Sequence, residues 1–295
     1  DTLNLRQKII DIIAAERNGQ PQDNDPPGNG PGMARCGFYG TNTSCVEIAG
    51  GDEYVICDAG SWIQDLSHRI MAHRGGKGLT FNIFFSHLHW DHIQGFPFFM
   101  PRYVAGNTIR MYGGHANIGE AFSRQQEQAN ISLPDRADIT FGTLEPGSVY
   151  NIAGLSVRMI PQYHPGDSYG YRFERNGKTI VYSTDCEHGD HEKDDYPFLD
   201  FFRNADLLII DAQYNAGDAF GTKANWGHSS NTVVAELGAD AGAKHLCMFH
   251  NEPTMNDAGL DEFLQGTRRW LQLTRAGSPM KIDLAYDGLE IDVGQ

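Results

Sequence analysis

The 295-residue chain is short of cysteine, of positive charge and of long apolar runs. Its five cysteines, at 36, 45, 57, 186 and 247, are odd in number and form no C-x-x-C pair, which argues against a disulfide framework. Cys57, Cys186 and Cys247 lie in or beside apolar stretches and read as buried free thiols, the usage of a reducing cytoplasm. Lys and Arg total 23 against 38 Asp and Glu, for a net charge of −15. That balance disfavours nonspecific binding to DNA or tRNA, so a nucleic acid polymer is not the expected partner. No run approaches the roughly 18 apolar residues of a membrane span, so no membrane partner is expected. There is no signal peptide, and the chain begins at Asp1 without methionine. The expectation is a piece of a longer chain whose upstream domain is missing.

What is present is a core-forming composition, 40% apolar and 11% aromatic. Residues 2–17 place Leu5, Ile9, Ile12 and Ile13 at helical spacing, and residues 18–32 are too rich in Pro, Gly and Asn for regular structure. Residues 1–34 are therefore expected to be a helix and linker, and residues 35–295 a separate catalytic-type domain. Strands are predicted over 44–49, 54–60, 79–86, 108–113, 155–164, 170–175, 178–185, 206–213, 245–250 and 281–286. Asn176-Gly177 reads as a hairpin turn. Helices are predicted over 61–74, 118–129, 229–243 and 259–275. Several strands are continuous Val/Ile/Phe runs, the pattern of a sheet covered on both faces, so the fold class is α/β.

The chemistry concentrates at strand ends. "FFSHLHWDHIQGFPFF", 84–99, follows an apolar strand with His87, His89, Asp91 and His92. His164 and His250 end two further apolar strands, and Asp185 ends a third. One edge of a sheet, at strand ends, is where α/β folds build ligand sites. An isolated strand-end histidine is usually a satisfied, half-buried one, but an H-x-H-x-D-H run with three spaced partners is not reached readily by chance. Five imidazoles and two carboxylates suffice for two divalent ions. Zinc is the default for this donor set, with manganese or iron as alternatives.

"SHLHWDH" resembles the H-x-H-x-D-H signature of the metallo-β-lactamase-fold hydrolases, and the resemblance extends over about residues 35–290. It implies a four-layer αββα sandwich with a metal pair at one edge. In that likeness His87, His89 and His164 hold one metal, Asp91, His92 and His250 the other, and Asp185 bridges them. "ICDAG" places Asp58 as a supporting acid behind the ligands. Two ions so placed would lower the pKa of a bridging water, giving a hydroxide nucleophile near neutral pH. "WGHSS" and "IIDAQY" resemble the phosphodiesterase branch, which includes the tRNA 3′-processing endonucleases and the phosphonate-pathway cyclic phosphodiesterase. This nominates His228 as the group that contacts phosphate or protonates the leaving oxygen, with Asp211 as its partner. The alternative for His228 is a plain helix cap, a role that Ser229 or Ser230 fills better.

"YGTNTSCVE" and "HPGDSYGYRF" resemble loops near the site, offering Asn42, Ser44, Ser168 and Tyr169 as substrate contacts or as ordinary turn residues. His188 and His191, among the acids of 185–195, resemble an extra metal site, with a solvated acidic loop as the preferred reading. His68, His73, His115 and His245 have no partners at ligand spacing. Residues 114–136 read as a helical flap over the cleft, and Trp90, Phe96, Phe98 and Phe99 as packing around the motif helix, with the lining of the pocket as the alternative for Trp90. The long arm with which the processing endonucleases grip tRNA is not evident. The expected function is thus a dinuclear phosphodiesterase acting on a small anionic ester such as a cyclic nucleotide. Competing expectations are a lactonase, thioesterase or β-lactam hydrolase on the same metals, and a metal-bound sensor without catalysis. A redox di-iron site is disfavoured because His89 is intact. The family resemblance also implies a homodimer.

Overall fold

A computed structural model describes residues 39–74, 76–128, 135–189 and 196–294. The expected N-terminal helix and linker, Cys36 and His191 lie outside the described residues, as does the side chain of His73. Within the unit Tyr39–Gln295, two sheets face each other. The first comprises β1 (Val46–Glu47), β2 (Tyr54–Cys57), β3 (Thr80–Phe84), β4 (Thr108–Gly113) and β5 (Asp138–Thr143), in that spatial order. All its neighbours run parallel except β1 and β2. On its outer side lie α1 (Ile63–Arg74), the one-turn α2 (Trp90–Ile93) and α3 (Ile118–Gln128).

The second sheet runs β12-β11-β10-β9-β8-β7-β6. Its strands are β6 (Val149–Ile152), β7 (Leu155–Gln162), β8 (Ser168–Arg175), β9 (Lys178–Ser183), β10 (Leu207–Asp211), β11 (His245–Phe249) and β12 (Lys281–Leu284). β6 to β9 are antiparallel neighbours, and β9 to β12 are parallel. Its outer side is covered by α4 (Pro197–Phe202), α6 (Asn231–Asp240) and α7 (Asp257–Thr274), while the short α5 (Ala216–Ala219) follows β10. The arrangement is the expected four-layer αββα sandwich.

Periodicity explains the layering. β10 is buried at every position, as a parallel strand with both faces covered must be. β7 alternates, sending Leu155, Val157 and Met159 into the space between the sheets. There Phe84 stacks on Tyr112 at 5.2 Å and meets Tyr171 and Phe173 edge-on at 5.5 and 5.2 Å. The hairpin between β8 and β9 turns through Asn176 and Gly177 at φ 51° and 74°, as the Asn-Gly pair predicts.

Three expectations are corrected. α3 is not a flap: Ile118 and Phe122 are buried, Phe122 packs on Phe85 and Phe96, and Gln125 donates to the Ile93 carbonyl at 2.7 Å. Trp90 and Phe98 do not pack around the motif; they are 56% and 58% exposed, while Phe96 and Phe99 are buried. The segment after Asp185 is not a solvated loop where described. His188 is buried against Phe198 and Phe202, with its Nδ1 2.8 Å from the Tyr196 hydroxyl. β5 and β6, both edge strands, were not anticipated. Cys45, Cys57, Cys186 and Cys247 are buried free thiols, and burial pushes Cys247 up to about 12.

Candidate metal centre

The site residues emerge from the same edge of both sheets. His87 and His89 follow β3, and Asp91 and His92 form the first turn of α2. His164 follows β7, Asp185 follows β9, His250 follows β11, and Asp58 follows β2. Asp58, Asp185 and His250 all adopt left-handed backbone, at φ 59°, 47° and 62°. Each strand therefore ends in a sharp bend at the residue that carries the functional side chain. The motif turn also needs Gly95, because a Cβ there would lie 2.0 Å from the Gly60 carbonyl.

Three groups of donor atoms form among the described residues. His87, His89 and His164 make one, Asp91, His92, Asp185 and His250 a second, and His164, Asp185 and His228 a third, with the donor atoms of each group lying within 4.8 Å of one another. Asp185 stands between the first two. Its Oδ2 lies 3.6 Å from His87 Nε2, 3.9 Å from His164 Nε2 and 3.5 Å from His250 Nε2, while Oδ1 lies 3.3 Å from His92 Nε2. Asp91 Oδ2 is 3.2 Å from both His92 and His250 Nε2.

The ring orientations leave lone pairs pointing at this centre. Asp58 Oδ2 lies 2.8 Å from His92 Nδ1, and the Gly227 carbonyl accepts from His164 Nδ1 at 2.9 Å. Each bond directs the opposite Nε2 inward. Asp58 is fully buried and also accepts from the Ser86 amide at 2.8 Å, the Ser86 hydroxyl at 2.7 Å and the Tyr182 hydroxyl at 2.7 Å. The Nε2 atoms of His87 and His92 are buried yet have no hydrogen-bond partner among the described residues. Buried polar atoms are rarely left so, and a cation between them would satisfy both. The donor set fits divalent metal.

The electrostatics agree. Burial, reinforced by the neighbouring His92, lowers the His87 pKa to about 2, which keeps that imidazole neutral and able to ligate. Burial works against ionising Asp91, but the His250 and His92 rings beside it outweigh that and hold the carboxyl well below its usual range. Burial likewise opposes charge on His92 and His250, yet the nearby carboxylates win. Asp185 and Asp58 hold His92 well above its ordinary value, and Asp185 and Asp91 raise His250 to about 9. Protons on these two rings stand where a cation would, and metal binding must release them.

Beside the cluster, His228 Nδ1 lies 2.7 Å from Asp211 Oδ2. Its ring stacks on His250 at 5.0 Å and meets His164 edge-on at 5.1 Å. Asp211 is fully buried at the end of β10. The helix-cap role belongs to Ser230, whose hydroxyl accepts from the Val233 amide.

Asn42 gives its amide to Asp287 at 2.8 Å and accepts from Ser61 at 2.9 Å. Ser44 is buried, and its carbonyl takes the Gly60 amide. Ser168 is buried, and its hydroxyl accepts from the Gln162 amide at 3.0 Å. Tyr169 packs edge-on against His115 at 5.2 Å. His115 contacts the Asp167 carbonyl and His245 contacts Asp283, so neither joins the cluster. Sequence reasoning missed Tyr182 and the Gly227 carbonyl. Neither carries a local signal, because a strand tyrosine and a backbone oxygen are unmarked in sequence.

Known proteins resemble the chain in the same terms. Residues 56–251 match the family described as the Beta-lactamase superfamily domain. Ribonuclease BN of Cronobacter sakazakii is 26% identical, over 65% of this chain and 79% of its own length. Ribonuclease Z of Acaryochloris marina is 25% identical, over 72% and 79%. Ribonuclease Z of Halobacterium salinarum is 34% identical, but over 37% of this chain and 31% of the relative. Among solved structures, the metallo-β-lactamase fold protein YhfI from Bacillus subtilis superposes with a TM-score of 0.63 at 20% identity, covering 84% of this chain and 90% of that one. The short form of human tRNase Z gives 0.62 at 19%, covering 88% and 98%. A diphosphatase from the PhnP family gives 0.56 at 20%, covering 84% and 83%. At these identities the structural likeness is one of fold. With its αββα layers, its strand-end donors and the family match in agreement, the chain belongs to the metallo-β-lactamase-fold superfamily of hydrolases.

Proposed function

We propose that the protein is a dinuclear metal-dependent phosphodiesterase acting on a small phosphodiester such as a cyclic nucleotide. His87, His89 and His164 hold one ion, Asp91, His92 and His250 hold the second, and Asp185 is shared. Two divalent cations there, zinc being the expected metal, supply an ionised water near neutral pH and a clamp on the phosphoryl oxygens. Asp91 accepts a hydrogen bond from the attacking water and so orients it. His228 delivers a proton to the leaving oxygen. Asp211 engages its Nδ1, which fixes the ring's orientation and tautomer for that step.

The observation that carries the reading is the His228–Asp211 pair at 2.7 Å, set against two of the ligand imidazoles. A carboxyl ester with a good leaving group has little need of such a proton donor; an alkoxide leaving from phosphorus does. The names of the ribonuclease and diphosphatase relatives support phosphoester chemistry. They also favour a second reading, processing of an RNA 3′ end, against which the net charge of −15 stands. Four buried free thiols suit a cytoplasmic setting.

The test compares wild type with His228→Ala on a cyclic nucleotide and on bis(p-nitrophenyl) phosphate. The variant is expected to lose about 10²–10⁴-fold in kcat on the cyclic nucleotide. It loses much less on the aryl ester, whose phenolate leaves without a proton. Unchanged cyclic-nucleotide turnover in the variant would refute the role. A metal-loaded wild type that is inert on both esters but cleaves precursor tRNA would favour the second reading; one that cleaves only lactones or thioesters would overturn both.

A further inference from the structure

The turn Asn225-Trp226-Gly227-His228 serves the centre twice. The Gly227 carbonyl orients His164, and the next residue is His228 itself. The turn passes through two left-handed residues, Asn225 at φ 66° and Gly227 at φ 90°. A Cβ on Gly227 would lie 2.3 Å from His164 Nδ1, so backbone and imidazole are in direct contact. Its amides converge on a carboxylate from elsewhere in the chain. Glu187, in the segment after β9, accepts the Asn225 N–H on Oε1 at 2.8 Å and the Gly227 N–H on Oε2 at 2.9 Å. Two amides gripping one anion resemble the backbone nests that bind free anions. The Glu187 amide in turn donates to the Tyr163 carbonyl at 2.8 Å, beside His164. Lys223 adds a tie from the same loop to Glu252 at 2.6 Å. Glu187 belongs to none of the donor groups, so its geometry has another purpose.

We propose that Glu187 is a positioning residue, which clamps the 225–228 turn so that His164 presents Nε2 to the metal and His228 faces the cluster. The His164 arm of this proposal stands without the phosphodiesterase reading; the His228 arm rests on it. Two conservative variants separate reach from charge. Glu187→Gln keeps the reach and one acceptor oxygen but loses the charge. Glu187→Asp keeps the charge but falls short of the two amides by one methylene.

The full chain, stripped of metal, is titrated with zinc against a chromophoric chelator, and the His228 Nδ1–H proton is followed by NMR in the loaded form. The clamp predicts about tenfold weaker zinc binding in Glu187→Asp, a smaller loss in Glu187→Gln, and a broadened His228 resonance in the Asp variant only. Wild-type zinc affinity in Glu187→Asp, a greater loss in the Gln than in the Asp variant, or a sharp His228 resonance in the Asp variant would each overturn it. Neither readout involves substrate, so failure of the phosphodiesterase reading leaves the outcome legible.

Discussion

At the scale of single residues, the centre is assembled by bends that ordinary side chains avoid. Asp58, Asp185 and His250 each sit in left-handed backbone at a strand end, a conformation costing about 1–3 kcal/mol per residue. Surrounding bonds must offset that cost, and Asp58 shows how. Its two oxygens satisfy Ser86 twice, Tyr182 once and His92 once, all without solvent. Asp58→Asn turns an amide toward some of these donors and takes from His92 one of the three carboxylates around it. The expected cost is about 3–5 kcal/mol in urea unfolding, with zinc affinity lower by about 10–100-fold. A variant with wild-type unfolding midpoint and zinc affinity would show that Asp58 merely fills space. The identity of this acid was legible, because "ICDAG" precedes the histidine motif at a strand end. The Tyr182 that steadies it was not, since it reads as one more apolar position of β9.

At the scale of elements, legibility followed burial. The predicted helices at 61–74, 118–129, 229–243 and 259–275 correspond to α1, α3, α6 and α7 within a few residues, because apolar faces or caps mark them. β5 and β6 escaped notice because each lies at the edge of its sheet, half-exposed, with Asp138, Thr140 and Asn151 breaking the apolar pattern. α3 was misplaced as a flap because its two buried apolar residues, Ile118 and Phe122, are too few to declare a packed face, and the buried Gln125 reads as polar surface. β12 shows a tie that no periodicity reveals. Its Asp283 faces His245 Nε2 on β11 at 2.9 Å, Arg268 on α7 at 3.0 Å and Lys281 at 3.1 Å. The His245 bond above all, with Lys281 next among the favourable contacts, holds the Asp283 carboxyl well below its usual range against the opposing effect of burial. A depressed folded-state pKa contributes stability above the unfolded value, about 4, and that stability is lost as pH falls through the folded value. Asp283→Asn should therefore cost about 1 kcal/mol at pH 7, with the gap to wild type closing below about pH 4. Equal gaps at pH 7 and pH 3, measured by urea titration, would exclude this linkage.

At the scale of the molecule, the centre is where the two sheets are joined by polar chemistry. His87, His89, Asp91 and His92 come from the first sheet's side; His164, Asp185 and His250 come from the second. Elsewhere the sheets meet through an apolar layer of Val55, Phe84, Val157, Tyr171 and Phe173. The centre sets the carboxylates of Asp91 and Asp185 against buried imidazoles, and the Nε2 atoms of His87 and His92 have no hydrogen-bond partner among the described residues. Metal should thus act as a staple between layers as well as a reagent. Ligand binding to the folded state alone stabilises by about 2.7 kcal/mol when free zinc is 100-fold above its Kd. For a unit of this size that corresponds to a rise in Tm of roughly 5–10 °C. Calorimetric scans of the chelator-stripped and zinc-loaded chain should show that rise. Asp185→Asn, which removes the carboxylate lying within 4 Å of His87, His92, His164 and His250, should abolish most of it. A zinc-loaded protein melting where the stripped one does would mean that the apolar layer alone sets the register of the sheets, and that the donors gather without metal for support.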